Sequence, residues 1–318
     1  MQSPLVTVCC LCYNHGDYLR EAVESVLNQT YRNIQIIIVD DASTDASATE
    51  IRQLAKQYPS VELLLLNQNV GNCKAFNSAL HLIKGDFVID FATDDVMTLD
   101  RIEKQVNFFE TLDESTGVVF TDAVYIDREG KFLRNHYEYL LKKKLLHQIP
   151  QGDVYRDVLA KYFIASPTMM MRRSVLNSLG GYDETLTYED FDFWVRSARL
   201  FKYAFLNEKL TKIRKTGSSM SAGWYVPGGK QLYSTYLVCK KAQKLNKDEE
   251  GAKALVIRVR YEFRQSVISE NHKEAELFYT LLTELGANNR IDAIFNVVNK
   301  FRLPLSGFRN TYHRIRFT

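Results

Sequence analysis

The chain is short of net charge: 41 Lys and Arg against 38 Asp and Glu leave +3 over 318 residues. That balance gives no reason to expect a nucleic-acid partner. Long hydrophobic runs are missing too, since none approaches the roughly 20 residues a membrane-spanning helix needs. The first residues include polar Gln2 and Ser3 and no basic stretch, so no signal-peptide pattern is present and a cytoplasmic protein is expected. Cysteine is sparse, with five in all, and Cys9, Cys10 and Cys12 crowd into one short segment. An odd count argues against a disulfide framework. No histidine or Cys-x-x-Cys partner completes a zinc site, so buried, reduced thiols are expected. The turn after the first apolar run has neither Gly-x-Gly-x-x-Gly nor Gly-Lys-Ser/Thr, which argues against a nicotinamide fingerprint and a P-loop.

What remains is an ordinary globular composition, 46% hydrophobic and 25% charged, long enough for one large α/β domain with an added lobe, or for two domains. Leu5 to Cys12, Ile34 to Val39 and Val61 to Leu66 read as buried strands. Helical spacing fills the intervals: Leu19, Ala22, Val23, Val26 and Leu27 behind an N-cap at Asp17, then Ile51, Leu54 and Ala55, then Ala75, Phe76, Ala79, Leu80 and Ile83. The alternation predicts a doubly wound, nucleotide-binding sheet.

A fourth strand, Gly85 to Ala92, closes on Thr93-Asp94-Asp95. Ligands of open α/β sheets bind beyond the carboxyl ends of the strands. The polar residues expected there are Asn14, Asp40, Asp41, Asn69, Asp94 and Asp95. Adjacent carboxylates at such an end can hold a divalent cation that grips phosphate, although the pair taken alone better suits a solvated turn capping the next helix. Asp90 shares strand parity with Asp94 and is a candidate for support behind it.

Leu99 to Leu112 reads as an amphipathic helix, and Gly117 to Asp122 and Ala123 to Asp127 as strands. Met169, Met170 and Met171 suit a packed strand. Asp190 is followed by Phe193, Trp194 and Ala198 at helical spacing, which places it at a helix start, where a carboxylate also serves as an N-cap. Beyond Trp224 the pattern is helical. From Lys300 the chain is basic and interleaved with aromatics, among them Phe301, Arg302, Phe308, Arg309 and Tyr312. That segment suits peripheral contact with an anionic membrane or a tail packed on the helical lobe with its cations solvated.

Several blocks, taken in order, resemble the family-two glycosyltransferases of GT-A fold. They are Val6-Thr7-Val8 with Tyr13-Asn14, Ser25 to Tyr31, Ile37 to Asp45, then Asn69, Gly71 and Asn77, the Asp94-Asp95 strand end, and Glu189-Asp190 before an aromatic helix. The likeness spans roughly residues 5 to 220. It implies a GT-A nucleotide-binding fold, a Rossmann-like mixed sheet flanked by helices, with a C-terminal helical extension. It further implies an inverting, metal-dependent transfer from a nucleotide sugar, taken as a UDP-sugar, to a hydroxyl of a glycan or lipid-linked glycan in surface polysaccharide synthesis. By the same resemblance Tyr13, Asn14, Asp40, Asp41 and Asn69 belong to the donor pocket, with Asp41 reading the base in preference to Asp40. Asp94 meets the ribose, Asp95 holds Mn²⁺ or Mg²⁺, and Asp190 is the catalytic base.

Two departures stand out. Members often carry Asp-x-Asp-Asp where this chain has Ala92-Thr93-Asp94-Asp95, and a histidine where it has Lys215. A lysine can meet a diphosphate as a point charge but is a poor metal ligand. The rival reading is a non-catalytic nucleotide-sugar-binding scaffold subunit of a glycan assembly complex. The domain expectation is a glycosyltransferase domain over 1–222, with a donor half at 1–98 and an acceptor half at 99–222. A helical region over 223–318 follows.

Overall fold

The structure, a computed structural model, describes residues 3–216 and 225–305. The loop residues Gly217 to Ser221 and the basic, aromatic tail from Phe308 to Phe317 lie outside the described residues.

The chain divides into two compact units. The first takes residues 1–154, 163–184 and 196–216, and the second residues 155–162, 185–195 and 217–318.

The first unit opens with β1 (Val6–Cys12), α1 (Leu19–Leu27), β2 (Ile34–Asp40), α2 (Ser47–Gln57), β3 (Val61–Leu65), α3 (Asn72–Ser78) and β4 (Phe87–Ala92). All seven residues of β1 are buried. A strand covered on both faces in this way must be apolar throughout rather than alternating. It lies parallel to β2 on one side and β4 on the other, with Cys12 opposite Asp40 and Leu11 opposite Ala92. Gly85 is required just before β4, because a Cβ there would come within 2.5 Å of the Thr7 amide.

The unit continues with β5 (Val96–Met97), α4 (Arg101–Glu110), β6 (Thr116–Ile126), β7 (Phe132–Asn135) and α5 (His136–Lys142). The chain then passes through α6 (Tyr155–Ala160), β8 (Met170–Arg172), α7 (Arg173–Leu179), α8 (Asp190–Ser197) and β9 (Lys202–Arg214). The strand order is β3-β2-β1-β4-β8-β6-β9-β5, with β7 beside β6. Since β8 runs antiparallel to both β4 and β6, while β9 runs parallel to β6, the sheet is mixed.

Local expectations hold in outline and shift in detail. The five cysteines are buried and free, and Met169, Met170 and Met171 are core residues around β8. Asp17 is not the N-cap: α1 starts at Leu19 behind Tyr18, which makes no side-chain cap. The His15 carbonyl instead accepts the amides of Tyr18 and Leu19, so a backbone turn takes the capping role. The two strands expected on either side of Asp122 are one, β6, whose register against β9 slips at Asp122. There the Asp122 carboxylate accepts the Ala123 and Tyr137 amides at 2.8 and 3.1 Å, fastening the irregularity.

The second unit is built on α9 (Gln231–Leu245), α10 (Glu249–Ile268), α11 (His272–Glu284) and α12 (Arg290–Lys300). Helix α10 packs against α6, α9, α11 and α12. Within it Arg258 is 3% exposed and pairs with fully buried Glu262 at 3.0 Å. No helix among the described residues is long and apolar enough to cross a membrane.

Helix α12 is fixed by Asp292, which is fully buried, closes a capping box with Asn289 and pairs with Arg260 and Arg264, each at 2.9 Å. Asp292→Ala is expected to lower stability by about 2–3 kcal/mol, combining a lost cap with two charge-assisted bonds. Urea unfolding followed by circular dichroism measures this. A change below about 0.5 kcal/mol, the range of ordinary surface substitutions, would remove Asp292 as the anchor.

Candidate functional site

In the first unit the ends of β1 to β4 converge on one web of polar contacts. At the end of β1, Tyr13 is 44% exposed. Asn14 takes a left-handed backbone, φ 56°. Its side-chain oxygen accepts the Thr44 amide at 2.8 Å, and its own amide donates to Ser43 Oγ at 2.9 Å. Ala42, beyond β2, is left-handed too, φ 57°. That conformation costs an alanine about 1 kcal/mol, and such strain collects where a loop must present specific groups. The β1–α1 turn is tied down again by Asp45, which accepts the Gly16 and Ser47 amides, each at 2.9 Å. Burial alone would raise the Asp45 carboxyl, but the Ser47 hydroxyl, followed by these amides, outweighs it and holds it below the usual range.

Asp40 and Asp41 are both buried, 3% and 4% exposed, but they do different things. Asp40 accepts the Ser43 hydroxyl at 2.5 Å. Asp41 spans to the loop after β3, each of its oxygens accepting one amide, Val70 at 2.7 Å and Gly71 at 2.9 Å. Asn69 reaches back to the Asp41 carbonyl at 3.4 Å. Asp41 therefore joins the ends of β2 and β3.

The β4 end carries the carboxylate pair. Thr93 is fully buried, and its hydroxyl meets the Leu11 carbonyl at 3.1 Å and His15 Nδ1 at 2.9 Å, locking this turn to β1. Asp94 is half-buried. Asp95 is 3% exposed and accepts the Arg214 amide at 2.8 Å. Burial, and then the neighbouring Asp94 charge, push the Asp95 carboxyl well above the usual range, against the opposing pull of that amide, Lys215 and Arg101. Burial also lowers the Lys215 ammonium, with Arg134 adding to the effect; Asp95 and Asp94 oppose both. Lys215 Nζ stands 4.8 Å from the centre of the Tyr125 ring. Asp90 accepts the Tyr182 hydroxyl at 2.9 Å, tying β4 to the segment after α7.

Sequence reasoning passed over Arg214. Only 3% exposed, its guanidinium donates to the Asp94 carbonyl at 3.0 Å and to the Arg128 carbonyl at 2.9 Å, and pairs with Glu21 at 2.6 Å. One residue thus sets Asp95 through its backbone and Asp94 through its side chain. The local signal was faint: one arginine among several cations at a strand end that also carries Lys209 and Lys212, beside the lysine that the family pattern brings to notice. His15 and Thr93 were missed likewise, because their bond joins residues 78 apart in sequence.

Asp190 falls in the second unit. It opens α8, as its spacing predicts. The preceding loop is pinned to α9, with the Thr187 amide on Ser234 Oγ at 3.1 Å and the Tyr188 hydroxyl 2.7 Å from Thr235 Oγ1.

The donor set can be tested against a divalent cation. Among the described residues no three or more His, Cys, Asp or Glu side chains gather as a ligand cluster. Mg²⁺, however, is usually held by one or two carboxylates, with substrate phosphates and water completing its shell. A buried Asp95 beside Asp94 supplies hard oxygens and two adjacent negative charges that Lys215 and Arg101 offset only in part, which fits such a cation.

Comparisons with known proteins bear on this geometry. The family described as Glycosyl transferase family 2 matches residues 7–180. An uncharacterized glycosyltransferase of Rickettsia prowazekii is 31% identical over 213 residues, 67% of this chain and 64% of that protein. The chain thus spans less than two thirds of that relative's length. A putative teichuronic acid biosynthesis glycosyltransferase of Bacillus subtilis, TuaG, is 28% identical over 244 residues, 76% of this chain and 90% of the relative. Among solved structures, S. aureus TarS 1-349 in complex with UDP-GlcNAc superposes with a TM-score of 0.70 at 16% identity, covering 98% of this chain and 92% of its own. The mannosyltransferase PcManGT of Pyrobaculum calidifontis, in complex with GDP-Man and Mn²⁺, gives 0.60 at 18% identity, covering 98% and 83%. Those likenesses establish the GT-A architecture of the mixed sheet with its C-terminal helices. The match over residues 7–180 reaches from β1 to β8 and takes in Asp41, Asp94 and Asp95, though not Arg214 or Lys215, and by it the chain belongs to glycosyl transferase family 2.

Proposed function

We propose that the protein is an inverting, metal-dependent glycosyltransferase that moves a sugar from a UDP-sugar to a hydroxyl of a glycan or lipid-linked glycan in surface polysaccharide synthesis. The observation that carries this reading is Asp95: a buried carboxylate, paired with Asp94 at the carboxyl end of a central parallel strand and set by Arg214. A fold alone would not need so costly an arrangement. TuaG's printed role in teichuronic acid biosynthesis and the UDP-GlcNAc held by TarS support the acceptor class and the donor base.

Asp41 reads the base edge, with Asp40, through Ser43, the less direct choice. Tyr13, Asn14 and Asn69 shape the pocket around it, and Asp94 meets the ribose. Asp95 holds Mn²⁺ or Mg²⁺, which when bound neutralises charge on the departing diphosphate. Lys215 contributes a second positive charge toward the same phosphates, as a point charge rather than a ligand. Asp190 accepts the proton that the acceptor hydroxyl gives up as it attacks the anomeric carbon from the side opposite the diphosphate. A single displacement of that kind inverts the anomeric centre.

Calorimetry with UDP, dTDP, GDP and CMP, each with and without Mn²⁺, tests this. UDP is expected to bind, and to bind at least about tenfold more weakly when the metal is withheld, as follows when the cation bridges protein and phosphate. Binding of none of the four would sink the donor-site reading.

A further inference from the structure

Helix α12 presents its apolar side outward. At 3.6 residues per turn, Ile291, Ile294, Val297 and Phe301, just past its end, fall within roughly a third of the circumference. They are 53%, 62%, 50% and 73% exposed. The opposite side is buried and mostly polar: Asp292 is 0% exposed and Asn299 2%, with half-buried Phe295 packed between them against Phe263. Asp292 is held by Arg260 and Arg264, and Asn299 exchanges bonds with His272, accepting from Nδ1 at 2.8 Å and donating to its carbonyl at 3.2 Å. These polar ties fix the rotation of the helix about its axis. Its isoleucines are therefore committed to the surface, where three or four aligned large apolar side chains call for a cover.

The charge around the stripe says what the cover is. Arg290, Lys300 and Arg302 flank it, all exposed. The sequence from Lys300 to Thr318 carries five Lys and Arg and no Asp or Glu. A second copy of this face would bring like charges together, and the chain's own final residues share the same sign. An apolar stripe edged by cations, with aromatics following in sequence, matches instead a surface that is anionic outside and apolar a few ångströms below.

We infer that α12 seats the protein on an anionic lipid bilayer, with Ile291, Ile294, Val297 and Phe301 entering the headgroup boundary. This placement does not depend on the donor chemistry, and its failure would leave the donor reading untouched.

The test is flotation of the full chain with vesicles of phosphatidylcholine mixed with phosphatidylglycerol, against vesicles of phosphatidylcholine alone. Flotation with the mixed vesicles only is expected. Each of Lys300→Gln and Arg302→Gln should weaken it about fivefold, the equivalent of about 1 kcal/mol per charge near such a surface. The pair Ile294→Ser with Val297→Ser should weaken it about a hundredfold. Both positions are exposed, so the melting temperature of that variant should match the parent. Equal flotation with neutral vesicles, no flotation of the parent chain, or unchanged flotation of the serine pair would each overturn the inference. A parent dimer that the serine pair converts to monomer would overturn it as well, in favour of an interface between copies.

Discussion

Asp190→Asn is expected to lower glycosyl transfer by about three orders of magnitude while leaving UDP affinity within about twofold, because a positioned base contributes roughly 10²–10⁴ in rate and little to donor binding. The substitution separates the two roles the position could have. Asp190 opens α8, where a side-chain oxygen can serve the first turn. There asparagine gives up only the charge–dipole interaction of a first-turn carboxylate, about 0.3–1 kcal/mol, so a purely structural residue would tolerate the change. What asparagine cannot do is take a proton from a sugar hydroxyl. The surroundings favour a clean comparison, since the loop before Asp190 is held independently through Thr187 on Ser234 and Tyr188 on Thr235. Side-chain shape is conserved, and a shift in melting temperature beyond about 2 °C is not expected. Kinetics under single-turnover conditions, with UDP binding measured beside them, give the readout. A variant that kept more than about a tenth of the parent rate would remove Asp190 from the base role.

How legible these features were in the sequence depended on how local their causes are. The strands β1, β2 and β4 were readable because burial on both faces demands largely apolar runs, and the polar residues just past them, Asn14, Asp41 and the Asp94-Asp95 pair, stood out. Asp94 and Asp95 were found in that way, without any knowledge of their partners. The short-range pattern of a carboxylate before an aromatic helical face placed Asp190 at a helix start, and only the family resemblance gave it a catalytic role. The family resemblance then ordered these points, and the match over residues 7–180 agrees with it.

What stayed hidden is whatever joins distant segments. Arg214 acts on Asp94 and Asp95 across 120 and 119 residues, and nothing near Arg214 in sequence announces that its carbonyl and carboxylate partners exist. Asp41 read as a pocket residue, yet the structure also gives it the task of bridging to Val70 and Gly71. The division into units was opaque for the same reason. Residues 155–162 and 185–195 belong with the helices after residue 217, whereas composition along the chain changes only near Trp224. The outward apolar side of α12 was hidden differently. Periodicity shows that a helix has two sides, and the usual assumption buries the apolar one. Only the ties at Asp292 and Asn299 reveal the reverse.

Asp95→Asn is expected to abolish metal-dependent UDP binding and reduce transfer by at least about a thousandfold, and yet to raise the stability of the metal-free protein. Function and stability pull apart here for one physical reason. The Asp95 carboxylate is 3% exposed, lies beside Asp94 and receives one backbone amide. Burial and the Asp94 charge outweigh the pull of that amide, Lys215 and Arg101, so the ionised carboxylate opposes folding. Asparagine keeps the oxygen that accepts the Arg214 amide and removes the charge. A gain of about 1 kcal/mol, or roughly 3 °C in melting temperature without metal, follows from relieving a buried like-charge contact in a domain of this size. The loss of function follows from the same change, since the neutral amide is a weaker ligand for a hard divalent cation and offers it no charge. Adding Mn²⁺ with UDP should then raise the melting temperature of the parent and leave the variant where it was. If instead Asp95→Asn melted several degrees lower, the carboxylate would be serving the fold. If it also bound UDP with undiminished metal dependence, the cation would have to be held elsewhere.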